Sequence, residues 1–210
     1  MTSLHPPHRV GLIDYGAGNI QSLRNALEHV GGIVSLVHCD GGLKGLSHLV
    51  LPGVGAFGHC MERLKKSGML TAIEDWALDQ CRPTLGICVG MQMLADSSQE
   101  QGRQEGLGWI GGEVTKLSSS DARIRIPHVG WNSVQFEEIF GECTTTGLND
   151  FYFDHSYAYR TPIKGGILAN CVHGEKFCAV VRRDNIVGSQ FHPEKSQAAG
   201  MRFLRSFLAM

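Results

Sequence analysis

Pro83-Thr84-Leu85-Gly86-Ile87-Cys88-Val89-Gly90-Met91-Gln92-Met93-Leu94 decides how the chain is read: an apolar run ends on a cysteine held between two glycines, and a helical pattern follows at once. A strand that turns this sharply into a helix crowds its own main chain, and Gly86 and Gly90 remove the β-carbons that would clash. Such a turn lifts the Cys88 side chain out of a sheet and sets its sulfur near a helix N-terminus, where thiolate is favoured over thiol. A free cysteine is equally at home as a small buried hydrophobe. The turn alone therefore leaves both roles open.

Upstream of it, strand and helix patterns alternate. Val10 to Asp14 reads as a strand, and Ile20, Leu23, Leu27 and Val30 recur at helical spacing before Gly31-Gly32 stops them. Ile33 to His38 and His48 to Leu51 are further short strands, the latter unbroken in the way of strands buried on both faces. Helical patterns run from Phe57 to Lys66 and from Met69 to Asp79. Alternation of this kind predicts a parallel sheet with crossover helices.

Downstream of the helix that starts near Met91, the runs become strand-like. They are Trp109 to Leu117, Ile124 to Ile126, Ser133 to Phe136, Phe151 to Tyr159, Gly166 to Val172, Phe177 to Arg182 and Ile186 to His192. Gly174-Glu175 and Arg183-Asp184-Asn185 separate several of them as hairpin turns do. A final amphipathic helix closes the chain from Gln197 to Met210. The expected fold is one α/β domain over residues 9–210, with a mixed, mostly parallel central sheet, flanking helices and an antiparallel second half. Residues 1–8 are expected to be a disordered extension.

The 210 residues carry 42% apolar side chains and a net charge of −1, which suits one domain with a large core. Basic runs are lacking, which argues against a nucleic-acid partner. No apolar stretch is long enough to span a membrane, and no signal-peptide core precedes the first strand, so the expected location is the cytoplasm. Seven cysteines form no Cys-x-x-Cys pair, so neither a disulfide framework nor a metal knuckle is expected, and one cysteine is free to be a working thiol.

Two further stretches complete a chemistry around Cys88. His192-Pro193-Glu194 ends the strand from Ile186, and residues two apart in extended chain project to one side, so the carboxylate can lie against one imidazole nitrogen. That leaves the other nitrogen free to take a proton from a thiol. Pro52-Gly53-Val54-Gly55 directly follows the third strand, and its main chain is free to bring N–H groups to an oxyanion of acyl transfer. All three lie at carboxyl ends of strands, where open α/β sheets bind ligands.

Pro52 to Gly55, Gly86 to Gln92 and Phe191 to Ser196, in this chain order and spread over nearly the whole chain, resemble the class I (triad) glutamine amidotransferases, whose domain is flavodoxin-like. Asp14 to Asn19, Pro127 to Asn132 and His155 to Tyr157 are similar to one branch, the glutaminase subunit of imidazole glycerol phosphate synthase. Glutaminases of anthranilate or aminobenzoate synthesis carry Gly-His-Gln where this chain has Gly90-Met91-Gln92. The resemblance implies that Cys88 attacks the glutamine side-chain amide, His192 shuttles the proton, Glu194 orients His192, and a glutamyl thioester is then hydrolysed. It implies an oxyanion site of Gly53, Val54 and Val89, with the N–H groups of the two valines as donors. Gly55, Gln92, Glu100, Ser156 and Tyr157 would surround the glutamine, and Glu100 suits its α-ammonium. It implies no cofactor and no metal. The partner would be a (β/α)8-barrel cyclase forming a heterodimer, faced by Asn19, Trp131, Asn132, Tyr152 and Lys195, which takes the ammonia to make imidazole glycerol phosphate and aminoimidazole carboxamide ribonucleotide in histidine biosynthesis. Asp154 departs from the usual apolar residue beside His155, as Val89 and Val129 depart from larger ones. A glutaminase feeding another synthase and a silent subunit that keeps the fold are the alternatives.

Overall fold

Val10, Leu12 and Ile13 lose all contact with water in β1 (Arg9–Ile13), and the helix α1 (Ile20–His29) returns the chain to β2 (Ile33–Val37), which pairs parallel with β1. This computed structural model describes residues 7–146, 149–162 and 165–210. β3 (His48–Leu51) follows on the other side of β1, fully buried as its unbroken apolar run predicts. The helices α2 (Phe57–Lys66) and α3 (Leu70–Glu74), the latter prolonged by a π-helical turn over Asp75–Asp79, lead to β4 (Thr84–Ile87). The helix after Cys88, α4 (Val89–Gln92), is one turn long, far shorter than the apolar pattern through Leu94 suggests. From Met93 the backbone N–H groups of Leu107, Gly108 and Ile110 take the local carbonyls, and a loop replaces the helix.

The second half builds β5 (Ser97–Ser98), β6 (Gln104–Glu105), β7 (Glu113–Lys116), β8 (His128–Phe136), β9 (Asp150–His155), β10 (Tyr157–Arg160), β11 (Ile167–His173), β12 (Glu175–Arg183), β13 (Ile186–Ser189) and the closing helix α5 (Gln197–Leu208). Among the described residues, nine strands form one sheet in the order β2-β1-β3-β4-β13-β12-β11-β8-β9. The strands from β2 to β13 in that order are parallel, and from β13 to β9 each neighbour is antiparallel. A second sheet, β10-β7-β5-β6, stands apart from it. The apolar side chains of the parallel strands, α2, α5 and the Phe151, Phe153, Phe191, Phe203 group form one continuous core.

Further sequence expectations change. The strand from Ile186 ends at Ser189, and Pro193–Lys195 forms a 3₁₀ turn, so Glu194 meets the His192 ring across a turn and not by alternation in extended chain. The run from Phe151 to Tyr159 is two strands in two sheets, broken at Ser156, whose carbonyl accepts the Leu117 N–H as the chain crosses over. Ile124 to Ile126 is no strand: the Asp121 carboxylate caps the Arg123 N–H and its carbonyl accepts from Ile124, which makes a turn. The strand expected from Trp109 begins only at Glu113, because Asp96 holds Gly112 by both its main chain and its carboxylate. Of the expected N-terminal extension, residues 1–6 lie outside the described residues, whereas His8 is tied in, accepting the Ile33 N–H at 2.8 Å and setting its ring edge-on to His48.

Candidate active site

Cys88 occupies φ 54, ψ −112, a backbone region reserved almost entirely for glycine, so the turn stores strain at the residue that carries the sulfur. A β-carbon on Gly86 would lie 2.6 Å from the Gly90 carbonyl oxygen, and one on Gly90 would collide with the carbonyl of Leu51. Both glycines are demanded by close approach of main chains, as the sequence pattern predicts. The Cys88 N–H donates to the Ser189 carbonyl at 2.8 Å, which fastens the turn to β13. Since β4 and β13 are adjacent and parallel, Cys88 and His192 emerge side by side at the same end of the sheet.

His192 is buried, its main-chain N–H donates to Tyr152 of β9 at 2.9 Å, and its ring is hydrogen-bonded to the Cys88 side chain. Nδ1 lies 2.9 Å from Glu194 Oε1, within a carboxylate that is 3% exposed. Burial by itself would lower the pKa of this imidazole. The hydrogen bonds to Cys88 and Glu194, reinforced by their negative charge, win and raise it to about 10. An imidazole raised this far is able to take a proton from a neighbouring thiol and to hold it.

A cavity of about 330 Å³ opens on this pair. Among the residues assigned to glutamine, Gly55, Gln92, Glu100, Ser156 and Tyr157 all line it, together with Cys88, Val54, Val89, His192 and Lys195. Pro127, Asp154 and His155 line it as well and carry no role in the sequence reading; Asp154 is exposed. Glu100 Oε2 accepts the Phe57 N–H at 2.7 Å, which fixes the carboxylate at the start of α2.

The resting direction of the oxyanion loop, which the sequence leaves open, is turned onto the following helix. Val89 N–H donates to the Gly53 carbonyl at 3.3 Å, so the donor expected to face a substrate is occupied by the loop itself. The neighbouring carbonyls are held too: Pro52 O accepts from the Tyr15 hydroxyl at 2.6 Å, and Val54 O accepts from the Cys60 thiol at 3.4 Å. Gly53 packs against α4 so tightly that a β-carbon there would lie 2.7 Å from the Gly90 nitrogen.

The family model described as "Glutamine amidotransferase class-I" matches residues 11–210. The chain belongs to this family. Among curated relatives of the amidotransferase, "Imidazole glycerol phosphate synthase subunit HisH" of Rhodospirillum rubrum is 45% identical over 210 residues, covering 95% of this chain and 98% of the relative. The protein of the same name from Zymomonas mobilis is 46% identical over 204 residues, covering 95% and 94%. "Imidazole glycerol phosphate synthase hisHF, chloroplastic" of Arabidopsis thaliana is 43% identical over 201 residues, covering 95% of this chain and 34% of that longer protein. Of solved structures, "Structure of PurLQS from Thermotoga maritima" superposes with a TM-score of 0.77 at 18% identity, covering 97% of this chain and 99% of the other, a likeness of fold.

On the amidotransferase surface, Trp131 is 50% and Val129 56% exposed. Trp131 meets Tyr152 edge to face at 6.3 Å, and Lys195 Nζ sits 5.4 Å over the Tyr152 ring, so an aromatic and cationic strip runs from the exposed face to the cavity. Asn19 is exposed at the start of α1. Asn132, expected with them, turns inward. Its Nδ2 donates to His128 Nε2 at 3.1 Å and to the Val172 carbonyl at 2.9 Å, and its Oδ1 accepts the Ser133 N–H.

From Asn132 a directed chain of hydrogen bonds runs inward that the sequence reading missed. His128 Nε2 accepts from Asn132, so its Nδ1 donates to His155 Nε2 at 3.0 Å, and His155 Nδ1 donates to the Tyr157 carbonyl at 2.8 Å. Each imidazole is thereby fixed as one neutral tautomer. Burial lowers the pKa of His128 to about 3 and of His155 to about 4, assisted by neighbouring histidines. The sign follows: above pH 6.5 neither state binds a proton at His155, and below it the unfolded chain takes up a proton that the folded chain refuses. His155 should therefore cost about 2 kcal/mol of stability between pH 7 and pH 5. Urea midpoints of the chain and of His155→Asn at both pH values measure it, and parallel pH slopes would contradict the assignment.

Proposed function

We propose that the chain is the glutaminase subunit of an imidazole glycerol phosphate synthase in histidine biosynthesis, acting in the cytoplasm. The supporting observation is the meeting of Cys88 and His192 at a cavity lined by the expected glutamine residues, with Glu194 behind the imidazole, in a chain whose near-full-length relatives carry that subunit's name. Cys88 attacks the side-chain carbonyl carbon of glutamine, and the C–N bond breaks as His192 hands its proton to the departing ammonia. The thioester left on the sulfur is hydrolysed by a water from which His192 removes a proton. Glu194 keeps Nδ1 protonated and pairs with the imidazolium. The α-ammonium of glutamine binds Glu100, whose second oxygen is anchored to Phe57.

Ammonia set free in water is protonated and no longer nucleophilic, so its user must sit over the cavity. We assign that position to a (β/α)8-barrel cyclase docked on Trp131, Tyr152, Lys195 and Asn19. The resting loop fits such an arrangement, because the Gly53 carbonyl occupies the Val89 N–H until something turns that peptide. An oxyanion donor is worth about 10²–10³ in turnover. Glutamine hydrolysis should therefore rise by about 10²-fold when the cyclase and its ligand are added, and equal rates with and without them would overturn this reading. Recovery of the barrel cyclase by the tagged chain separates it from glutaminases that feed other synthases.

A further inference from the structure

We propose that Gln190 is a further catalytic residue, whose side-chain N–H supports the Cys88 sulfur as a thiolate. The proposal rests on the reading of Cys88 as the nucleophile. Gln190 is wholly buried, and its Nε2 lies 3.9 Å from Cys88 Sγ. Which end of the carboxamide faces the sulfur decides its effect, since an N–H stabilises negative charge there and a carbonyl oxygen would oppose it.

The surroundings fix that sense without ambiguity. The Tyr157 carbonyl only accepts, so the Gln92 atom 2.9 Å from it is the amide nitrogen. The same nitrogen lies 3.0 Å from Gln190, which must present its oxygen. The Gln190 nitrogen is then left to face the sulfur. The Tyr157 carbonyl that starts this sequence is itself held by His155. Gln190 and His192 both leave the end of β13 toward Cys88, one to take its proton and one to support the charge that remains.

In the step, the S–H bond breaks, its proton passes to the imidazole nitrogen not bonded to Glu194, and the electron pair stays on sulfur. The Gln190 hydrogen bond strengthens as that charge appears, and the amide itself loses nothing. Gln190 spends its other end on Gln92, so the donor reaches the sulfur already oriented.

The test is the pH dependence of Cys88 alkylation by iodoacetamide in the full chain, followed by mass spectrometry of the Cys88 peptide. With Gln190→Met, the pH of half-maximal rate at Cys88 should rise by about one unit, a tenfold loss of thiolate at a given pH, while the exposed Cys39 and Cys81 keep their profiles. Gln190→Glu, which preserves shape and removes the amide, should move it in the same direction. An unchanged Cys88 profile in either variant with a native far-UV spectrum overturns the proposal. In the unaltered chain, the Gln190 side-chain amide resonances should titrate with Cys88, and their failure to move as the thiol ionises overturns it even if neither variant folds. Ammonia release by Cys88→Ala is scored separately: release that persists removes the nucleophile reading, whereas an inactive Cys88→Ala with an unresponsive Gln190 removes this proposal alone.

Discussion

Cys88→Ala is expected to release ammonia from glutamine about 10⁴-fold more slowly than the unaltered chain, with the cyclase present in both assays, while folding and partner binding persist. The size of the effect follows from what remains when a nucleophile is lost from a triad: substrate binding and oxyanion donors still act, but no thioester forms. The substitution is mild for the fold, because alanine keeps the β-carbon and the main-chain bond from residue 88 to Ser189. It removes one of the two groups that hold His192 protonated, so the imidazole pKa should also fall from its raised value of about 10. Ammonia measured by a coupled dehydrogenase assay decides the first point, and the His192 ring resonances against pH decide the second. Undiminished ammonia release would remove the triad from the account.

Gly90→Ala is expected to have the largest effect on stability, about 3 kcal/mol or more. The added methyl group meets the Leu51 carbonyl, with the carbonyl carbon of Leu51 at 3.0 Å and that of Pro52 at 3.2 Å. These are main-chain atoms at the end of a central strand, and no side-chain rotation relieves the overlap. Relief requires α4 to lift from β3, which would carry Val89 away from Gly53 and open the turn under Cys88. Chemical denaturation of the purified variant measures the loss, and a midpoint equal to that of the parent chain would show that the turn yields more readily than its packing implies.

Much of this site was legible because its chemistry is written in local spacing. Glycines two residues either side of Cys88, and a carboxylate two residues after His192, fix their relations within a few peptide units, and the structure places them together. Gln190 obeys the same spacing relative to His192 and was overlooked for lack of an evident chemical role. Other features depend on information that spacing does not contain. The contact of His128 with His155 arises from their pairing across β8 and β9, a register that only the folded sheet sets. The passage from β9 to β10 leaves no mark in the alternation of apolar residues, because both halves remain extended. The direction of the Gly53 carbonyl is the orientation of one peptide plane, which glycine leaves free.

The main-chain bond from His192 to Tyr152 joins the buried imidazole to an edge strand whose next-door ring belongs to the exposed face. Evolution of a new docking surface on that edge is consequently not independent of turnover: substitutions that reposition the strand would detune the imidazole as they altered recognition. Lineages exchanging one synthase for another would have to conserve this edge's backbone path and vary only the side chains it displays.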